Sequence, residues 1–268
     1  MKTIIGIYIL ITCFILNFPL LAQNPEWVII DTSNSELSDN SINSMAMDKN
    51  GDIIIQCGGK YGEVFKINKS DWLISRCSNI NFPIKIDEDG FSWYVRMYNL
   101  IKGIDDNTIE FFTPPDSLKW YYGDLPRSID IDNDGTIWML FSYELYRFDG
   151  VNWSILNKND MAFPDTLYPE FGSMVIDELN KIWIGTERHG LVRYDGTSWA
   201  IYDTSNSNLP GQAAHALAMD DNGFLWLLSS DLLSNRHLVK IDGESWTLIK
   251  IPLSRISVIF PFNIFMSA

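Results

Sequence analysis

The stretch Asp177-Glu178-Leu179-Asn180-Lys181-Ile182-Trp183 carries the pattern that decides the fold, because versions of it recur along the chain. In each version an Asp is followed three residues later by Gly or Asn, and after three more residues by Trp or Ile. The five versions place these slots at Asp48, Gly51 and Ile54; Asp87, Gly90 and Trp93; Asp132, Gly135 and Trp138; Asp177, Asn180 and Trp183; and Asp220, Gly223 and Trp226. Successive Asp slots lie 39 to 45 residues apart, a period typical of the blades of a β-propeller.

A second pattern, Asp-Gly-x-x-Trp, lies between consecutive copies of the first. It is complete at residues 149–153, 195–199 and 242–246, and it is looser where Asn68 precedes Trp72 and Asp105 precedes Ile109. An Asp-Gly pair between apolar runs indicates a tight turn between two strands. In the third repeat the two patterns separate four short strands, at residues 127–132, 136–141, 143–148 and 153–156. The sequence therefore predicts an all-β fold, a β-propeller of about five four-stranded antiparallel blades that is either complete or truncated.

The Asp and Gly slots of the first pattern are expected to be structural turn residues. An Asp carboxylate at the end of a strand can accept hydrogen bonds from the N–H groups of the following turn. Gly adopts a positive φ without steric cost, and Asn, which stands in the Gly slot at Asn180, tolerates that conformation better than most residues. These turns should join the first strand of each blade to the second.

The fourth repeat resembles the two-component regulator propeller repeats. The match consists of Ile-Trp-Ile-Gly-Thr at residues 182–186, Gly-Leu-Val-Arg-Tyr-Asp-Gly-Thr-Ser-Trp at 190–199, and Asn-Ser-Asn-Leu-Pro at 206–210. The resemblance extends over about residues 27–252. It implies an extracytoplasmic, ligand-sensing β-propeller of the kind found in bacterial hybrid sensor kinases.

The chain ends suggest a secreted or periplasmic protein. Residues 1–22 have the pattern of a signal peptide, with Lys2, an apolar run and then Ala22. Residues 23–252 hold the propeller repeats. Residues 253–268 form an apolar tail whose apolar core is too short to cross a membrane as a helix and which we interpret as the start of a further blade.

Charge and motif spacing exclude several functional classes. The chain has 34 acidic and 20 basic residues, a formal net charge of −14, which disfavours nucleic acid and anionic membranes as partners. Residues 130–135 resemble the start of a calcium loop, but Phe141 stands where such a loop needs a Glu. The three histidines, His189, His215 and His237, lack the spacing of metal ligands. We therefore expect no metal and no cofactor.

The most variable segments of the repeat should lie together at one end of the propeller, which we call the variable face. It carries the loops between the second and third strands and those between successive blades, while the recurrent turns occupy the opposite end, the turn face. The two longest variable loops, residues 113–126 and 157–172, are rich in aromatic residues, and variable loops on a rigid scaffold often bind ligands. The predicted ligand-binding residues are Trp120, Tyr121, Tyr122, Tyr168, Phe171, Arg188 and His189. The alternative is that these rings only cover the end of the propeller.

The leading functional hypothesis is non-catalytic recognition of an oligosaccharide or of another extracytoplasmic protein. The alternatives are a propeller enzyme, either a lyase or a glycoside hydrolase, and a structural remnant of a larger sensor kinase. A convergent group of His, Glu or Arg side chains at the variable face would separate these classes. The sequence alone assembles no such group.

Overall fold

Five sheets of four strands each make up the part of the chain that the computed structural model describes, namely residues 30–40, 42–48, 50–57, 63–77, 84–103, 108–120, 124–157, 159–161, 163, 170–220, 222–231, 236–243 and 245–249. Each sheet is antiparallel, and its strands pair in the order of the sequence. The prediction of a five-bladed propeller is thereby confirmed. The predicted signal peptide (1–22) and apolar tail (253–268) lie outside the described residues.

The strands follow the repeat. Blade 1 contains β1 (Ile42–Met47), β2 (Ile53–Cys57), β3 (Glu63–Ile67) and β4 (Ile74–Cys77), and blade 2 contains β5 (Ile84–Ile86), β6 (Ser92–Arg96), β7 (Asn99–Gly103) and β8 (Ile109–Phe112). Blade 3 contains β9 (Ser128–Ile131), β10 (Ile137–Leu140), β11 (Glu144–Phe148) and β12 (Trp153–Asn157). Blade 4 contains β13 (Phe171–Ile176), β14 (Ile182–Thr186), β15 (Leu191–Tyr194) and β16 (Trp199–Tyr202). Blade 5 contains β17 (Ala213–Met219), β18 (Leu225–Ser230), β19 (Arg236–Asp242) and β20 (Ser245–Ile249).

The turn between β9 and β10 shows how the Asp and Gly slots work. Oδ1 of Asp132 accepts hydrogen bonds from Asp134 N at 3.1 Å and Thr136 N at 2.8 Å, and Gly135 N donates to Asp132 O at 2.9 Å. Gly135 has φ +79°, and nothing lies within 4 Å of the position that a Cβ would take. The equivalent positions also have a positive φ: Gly51, Gly90, Asn180 and Gly223.

The positive φ of Gly135 gives a direct test of this turn. Gly135→Ala should lower the free energy of unfolding by about 1 kcal/mol, because an L side chain resists this conformation even where space is free. Gly172→Ala is the matched control, since Gly172 lacks a positive φ and an added Cβ would make only ordinary contacts, the nearest at 3.6 Å. Chemical denaturation of both variants measures the difference; equal midpoints would contradict the assigned turn.

The Trp of each repeat is hydrogen-bonded to the Asp that lies six residues before it. Indole Nε1 donates to carboxylate Oδ2 in four blades, at 2.8 Å for Trp93–Asp87, 2.9 Å for Trp138–Asp132, 3.0 Å for Trp183–Asp177 and 2.8 Å for Trp226–Asp220. Blade 1 has Ile54 in this slot, and there Lys66 Nζ contacts Asp48 Oδ2 at 2.8 Å instead. The carboxylate therefore has a partner in every blade.

A cation lies opposite the Trp slot on the third strand of each blade. The cross-strand pairs are Ile54–Lys66, Trp93–Lys102, Trp138–Arg147, Trp183–Arg193 and Trp226–Lys240. Where the slot holds Trp, the cation lies 5.3 to 5.8 Å from the ring centre, which is within the range of a cation–π contact. This regularity is visible in the sequence once the strand register is known.

The prediction that Trp72 occupies the fourth strand of blade 1 is wrong. Ile67 faces Ile74 across the β3–β4 turn, whereas in blade 3 Phe148 faces Trp153 with a shorter turn between them. The two extra residues push Trp72 out of the strand into the turn, where it has φ +59° and is 61% exposed. Ile74 takes the strand position that Trp72 was expected to occupy.

The hydrophobic core lies between the faces of neighbouring blades. Trp138 and Leu145 of blade 3, for example, pack with Met174 and Ile184 of blade 4 in one buried cluster. A polar contact ties the first strands together: Asp130 Oδ1 lies 2.5 Å from Lys85 Nζ of blade 2, and its Oδ2 accepts a 2.8 Å hydrogen bond from the backbone of blade 4. The blades are thus fixed to one another by apolar packing and by buried polar links.

No helix in the described ranges is long and apolar enough to span a membrane.

Candidate functional site

The predicted aromatic residues divide into buried ones and ones outside the described residues. Tyr121, Tyr122 and Tyr168 belong to the second group. Trp120 is 4% exposed, donates from Nε1 to Met97 O at 2.7 Å, and packs its ring against three aromatic rings of blade 3. Phe171 is fully buried at the start of β13. Both described rings are therefore used for packing, as the covering alternative expects.

Arg188 and His189 lie in the loop between β14 and β15 at the variable face. Arg188 is exposed, and His189 is partly exposed. The backbone N–H of His189 donates to Thr186 Oγ1 at 2.8 Å, which fixes the loop, and its ring lies 6.5 Å from that of Phe163. Burial, together with the nearby charge of Arg188, lowers the pKa of His189, so this imidazole is neutral at neutral pH.

An ion pair joins blades 3 and 4 beside that loop. Nη2 of Arg127 lies 3.0 Å from Oε1 of Glu170, and Nε of Arg127 donates to Ser142 Oγ at 3.1 Å. Both members of the pair remain partly exposed. Arg127 precedes β9, and Glu170 precedes β13, so the pair connects the ends of two loops between blades.

A contact between Glu187 and His215 joins blades 4 and 5 at the same end. Oε2 of Glu187 lies 3.5 Å from Nδ1 of His215, a residue of β17 that is mostly buried. The close contact with His215 is the main reason why the pKa of Glu187 is lowered; the charges of Arg127 and Arg188 act in the same direction, and burial opposes them. Glu187 is therefore ionised at neutral pH.

Backbone hydrogen bonds bring the two pairs together. Phe171 N donates to Ser142 O at 3.0 Å, and Glu187 N donates to Glu170 O at 2.9 Å. The three loops of blades 3 and 4 are thus connected edge to edge. We call the side chains of Arg127, Glu170, Glu187, Arg188 and His215 the variable-face cluster.

A glycine determines how closely blade 5 approaches this cluster. Gly185, in the Ile-Trp-Ile-Gly-Thr motif of β14, lies against the backbone of Ala214 and His215. Next to it, Gly190 N donates to Gln212 O at 2.7 Å, and Gly190 forms an isolated parallel bridge with Ala213. Because no side chain separates the two strands here, the imidazole of His215 can reach Glu187.

Sequence reasoning missed four of the five members of the cluster. Arg188 was the member predicted to bind a ligand, and His215 was considered only as a metal ligand. The cluster comes from three blades, and its members have neither a common motif nor a regular spacing. The one local signal in the sequence is Gly185 itself. It stands two residues after the Trp slot, where the other blades have a larger residue.

The cluster offers hydrogen-bond donors and acceptors rather than a metal site. The guanidinium groups of Arg127 and Arg188 supply several N–H donors in a fixed plane, and the two Glu carboxylates supply acceptors. Tyr143, next to Ser142, adds an aromatic ring that is 53% exposed. Among the described residues, no group of three or more His, Cys, Asp or Glu side chains is arranged to hold a metal ion.

No protein-family model and no curated protein matches the chain. Solved structures share its fold: a protein of unknown function from Bacteroides thetaiotaomicron has a TM-score of 0.60 at 6% identity, with 86% of this chain and 65% of that chain covered. The extracellular domain of BT3049 from B. thetaiotaomicron, assigned to a hybrid two-component system, has a TM-score of 0.55 at 15% identity, with 79% and 30% covered.

The extracellular domain of BT4673 from the same organism, also assigned to a hybrid two-component system, has a TM-score of 0.50 at 12% identity, with 80% of this chain and 35% of that chain covered. This chain thus spans about a third of the length of these two extracellular domains. At such identities the likeness establishes the propeller fold. The neighbours include extracellular domains assigned to hybrid two-component systems.

Proposed function

We propose that this protein is an extracytoplasmic recognition propeller that binds an oligosaccharide at its variable face and does not transform it. The observation that carries the proposal is the convergence of Arg127, Glu170, Glu187 and His215 from three consecutive blades. This is the kind of convergent group that the sequence could not assemble. The extracytoplasmic location is supported by the signal-peptide pattern and by the extracellular domains among the structural neighbours.

The turn face is less suited to binding because its polar groups already have partners. The carboxylate of Asp132, for example, accepts hydrogen bonds from its own turn through Oδ1 and from Trp138 through Oδ2. A ligand would have to displace bonds on which the blade depends. The charged side chains of the variable face are not needed in every blade, so they are free to differ from one protein to another.

An oligosaccharide matches the chemistry of the variable-face cluster. Arg and Glu side chains can share paired hydrogen bonds with neighbouring hydroxyl groups, and an exposed ring such as Tyr143 can lie against the apolar face of a sugar. Arginine and carboxylate groups that are already ordered by one another lose little conformational entropy on binding.

The charge state of Glu187 argues against a glycoside hydrolase at this cluster. Such enzymes need two carboxyl groups, one of which has a raised pKa and acts as the acid. The close contact with His215 lowers the pKa of Glu187 instead. Glu170 is held in an ion pair with Arg127.

A double variant tests the proposed site. Arg127→Ala with Glu170→Ala removes an ion pair as a unit, which leaves no buried charge without its partner. We expect glycan affinity to fall by about tenfold or more, because hydrogen bonds to charged groups contribute about 1.5–3 kcal/mol. Binding is measured on a glycan array and then by calorimetric titration with the glycan that binds best.

The matched control removes an ion pair of blade 1, Arg76 with Glu63, by the same two substitutions to Ala. This control should bind like the wild type. If the array detects no glycan for the wild-type chain, or if the two double variants bind equally well, the proposed function is wrong.

A further inference from the structure

We infer that the oligosaccharide carries acidic groups, and that Arg188 is the principal residue that binds them, with Arg127 beside it. This inference rests on the proposed function, since it specifies the class of ligand for the same site.

The first argument is the local balance of charge. The chain as a whole has 34 acidic against 20 basic residues. In the variable-face cluster, however, two arginines balance two glutamates, and two of the three histidines of the chain, His189 and His215, lie in or next to it. An acidic protein would repel an acidic ligand at most of its surface. In the cluster the positive and negative charges are equal in number, so an acidic ligand meets less repulsion there.

The second argument concerns which cation is available. Arg127 is paired with Glu170, and the carboxylate of Glu187 is engaged by His215. Arg188 is exposed, and no carboxylate of the described residues lies within ion-pair distance of its guanidinium group. Arg188 can therefore bind a new anion without losing an internal partner, and the bond would be charge-assisted.

The third argument concerns the spare donors of Arg127. Its Nη2 donates to Glu170 and its Nε donates to Ser142. A guanidinium group has five N–H donors, so further donors remain on a side chain that is still partly exposed. Both arginines are close enough to Glu187 for their charges to lower its pKa. Arg188 follows Glu187, whose N–H donates to Glu170 O, and Glu170 pairs with Arg127, so the two arginines are neighbours that can act on one ligand.

His189 does not supply the positive charge. Burial and the neighbouring Arg188 keep the pKa of His189 low, so its ring acts as a neutral hydrogen-bond group. The attraction for an acidic ligand should consequently come from the two arginines and persist at neutral pH. It should weaken as salt concentration rises, because exposed charges are screened.

The experiment uses the full chain and a glycan array that includes neutral, uronic-acid-containing and sulfated oligosaccharides. We expect wild-type protein to bind members of the acidic classes, and to bind a uronic-acid oligosaccharide at least about tenfold more tightly than the same oligosaccharide with its carboxyl groups reduced to alcohols. Comparison of uronic-acid and sulfated members shows whether a carboxylate or a sulfate is recognised.

Arg188→Ala should weaken binding of the best acidic glycan by about tenfold or more, and Arg188→Lys should weaken it less. Arg96→Ala is the matched control, because Arg96 is an exposed arginine at the end of β6 in blade 2, the equivalent side of the propeller. Thermal melting of all three variants checks that the fold is kept.

The outcomes separate the two proposals. Binding of neutral glycans alone, sensitive to Arg127→Ala with Glu170→Ala, overturns the acidic ligand but supports the recognition function. Equal affinities of Arg188→Ala and Arg96→Ala for an acidic glycan overturn the assigned role of Arg188. Absence of binding to any glycan overturns both.

Discussion

Gly185→Val is expected to lower the free energy of unfolding by about 3 kcal/mol, the upper end for overpacking a core. An added Cβ at Gly185 would lie 2.8 Å from the carbonyl oxygen of His215 and closer still to that of Ala214. Both obstacles are backbone atoms of β17, so no rotation of a side chain can relieve the clash. The two blades would have to move apart, and the buried contacts between them would be lost.

Gly172→Val is the control for this prediction, because an added Cβ at Gly172 would make its nearest contacts at 3.6 Å. Gly172→Val should lower the free energy of unfolding much less than Gly185→Val, as measured by chemical denaturation. Gly185→Val should also weaken the glycan binding that we propose, since displacement of β17 carries His215 away from Glu187. A Gly185→Val protein with wild-type stability would show that β14 and β17 do not approach each other as described.

The turns and strands could be predicted because each depends on residues close in sequence. The pattern from Asp132 to Trp138 contains both partners of its hydrogen bonds, so a repeated pattern is enough to recognise a repeated blade. The same logic explains the error at Trp72. Asn68 and Trp72 have the spacing of Asp149 and Trp153, and nothing in the sequence marks the longer turn.

The candidate site could not be predicted because its members meet only through the packing of blade on blade. Arg127 and Glu170 are distant in the sequence, as are Glu187 and His215, and each pair bridges two sheets. The aromatic residues chosen from the loops included Trp120 and Phe171, and burial of such large rings contributes strongly to folding. Both rings are packed inside the propeller, which composition alone does not reveal.

Trp138→Ala is expected to have the other largest effect on stability, a loss of about 3–5 kcal/mol. The indole is buried between blades 3 and 4, where it packs in one cluster with Met174 and Ile184. Its Nε1 also donates to Asp132 Oδ2 at 2.9 Å, and Arg147 lies 5.8 Å from its ring centre. Truncation leaves a cavity between two blades and removes one of the bonds of a carboxylate that also holds the turn.

Trp138→Phe separates these contributions, because it keeps most of the ring but removes the indole N–H. It should lower the free energy of unfolding by about 1.5–3 kcal/mol, the value of one hydrogen bond to a charged acceptor. Blade 1 shows why this bond matters: where Ile54 has no N–H to donate, Lys66 supplies the cation to Asp48 instead. Trp138→Phe should therefore be rescued in part by Arg147→Lys, which places an ammonium group on the third strand, as Lys66 does in blade 1. Denaturation of the single and double variants measures the coupling, and strictly additive losses would contradict a shared role of the cation and the indole at Asp132.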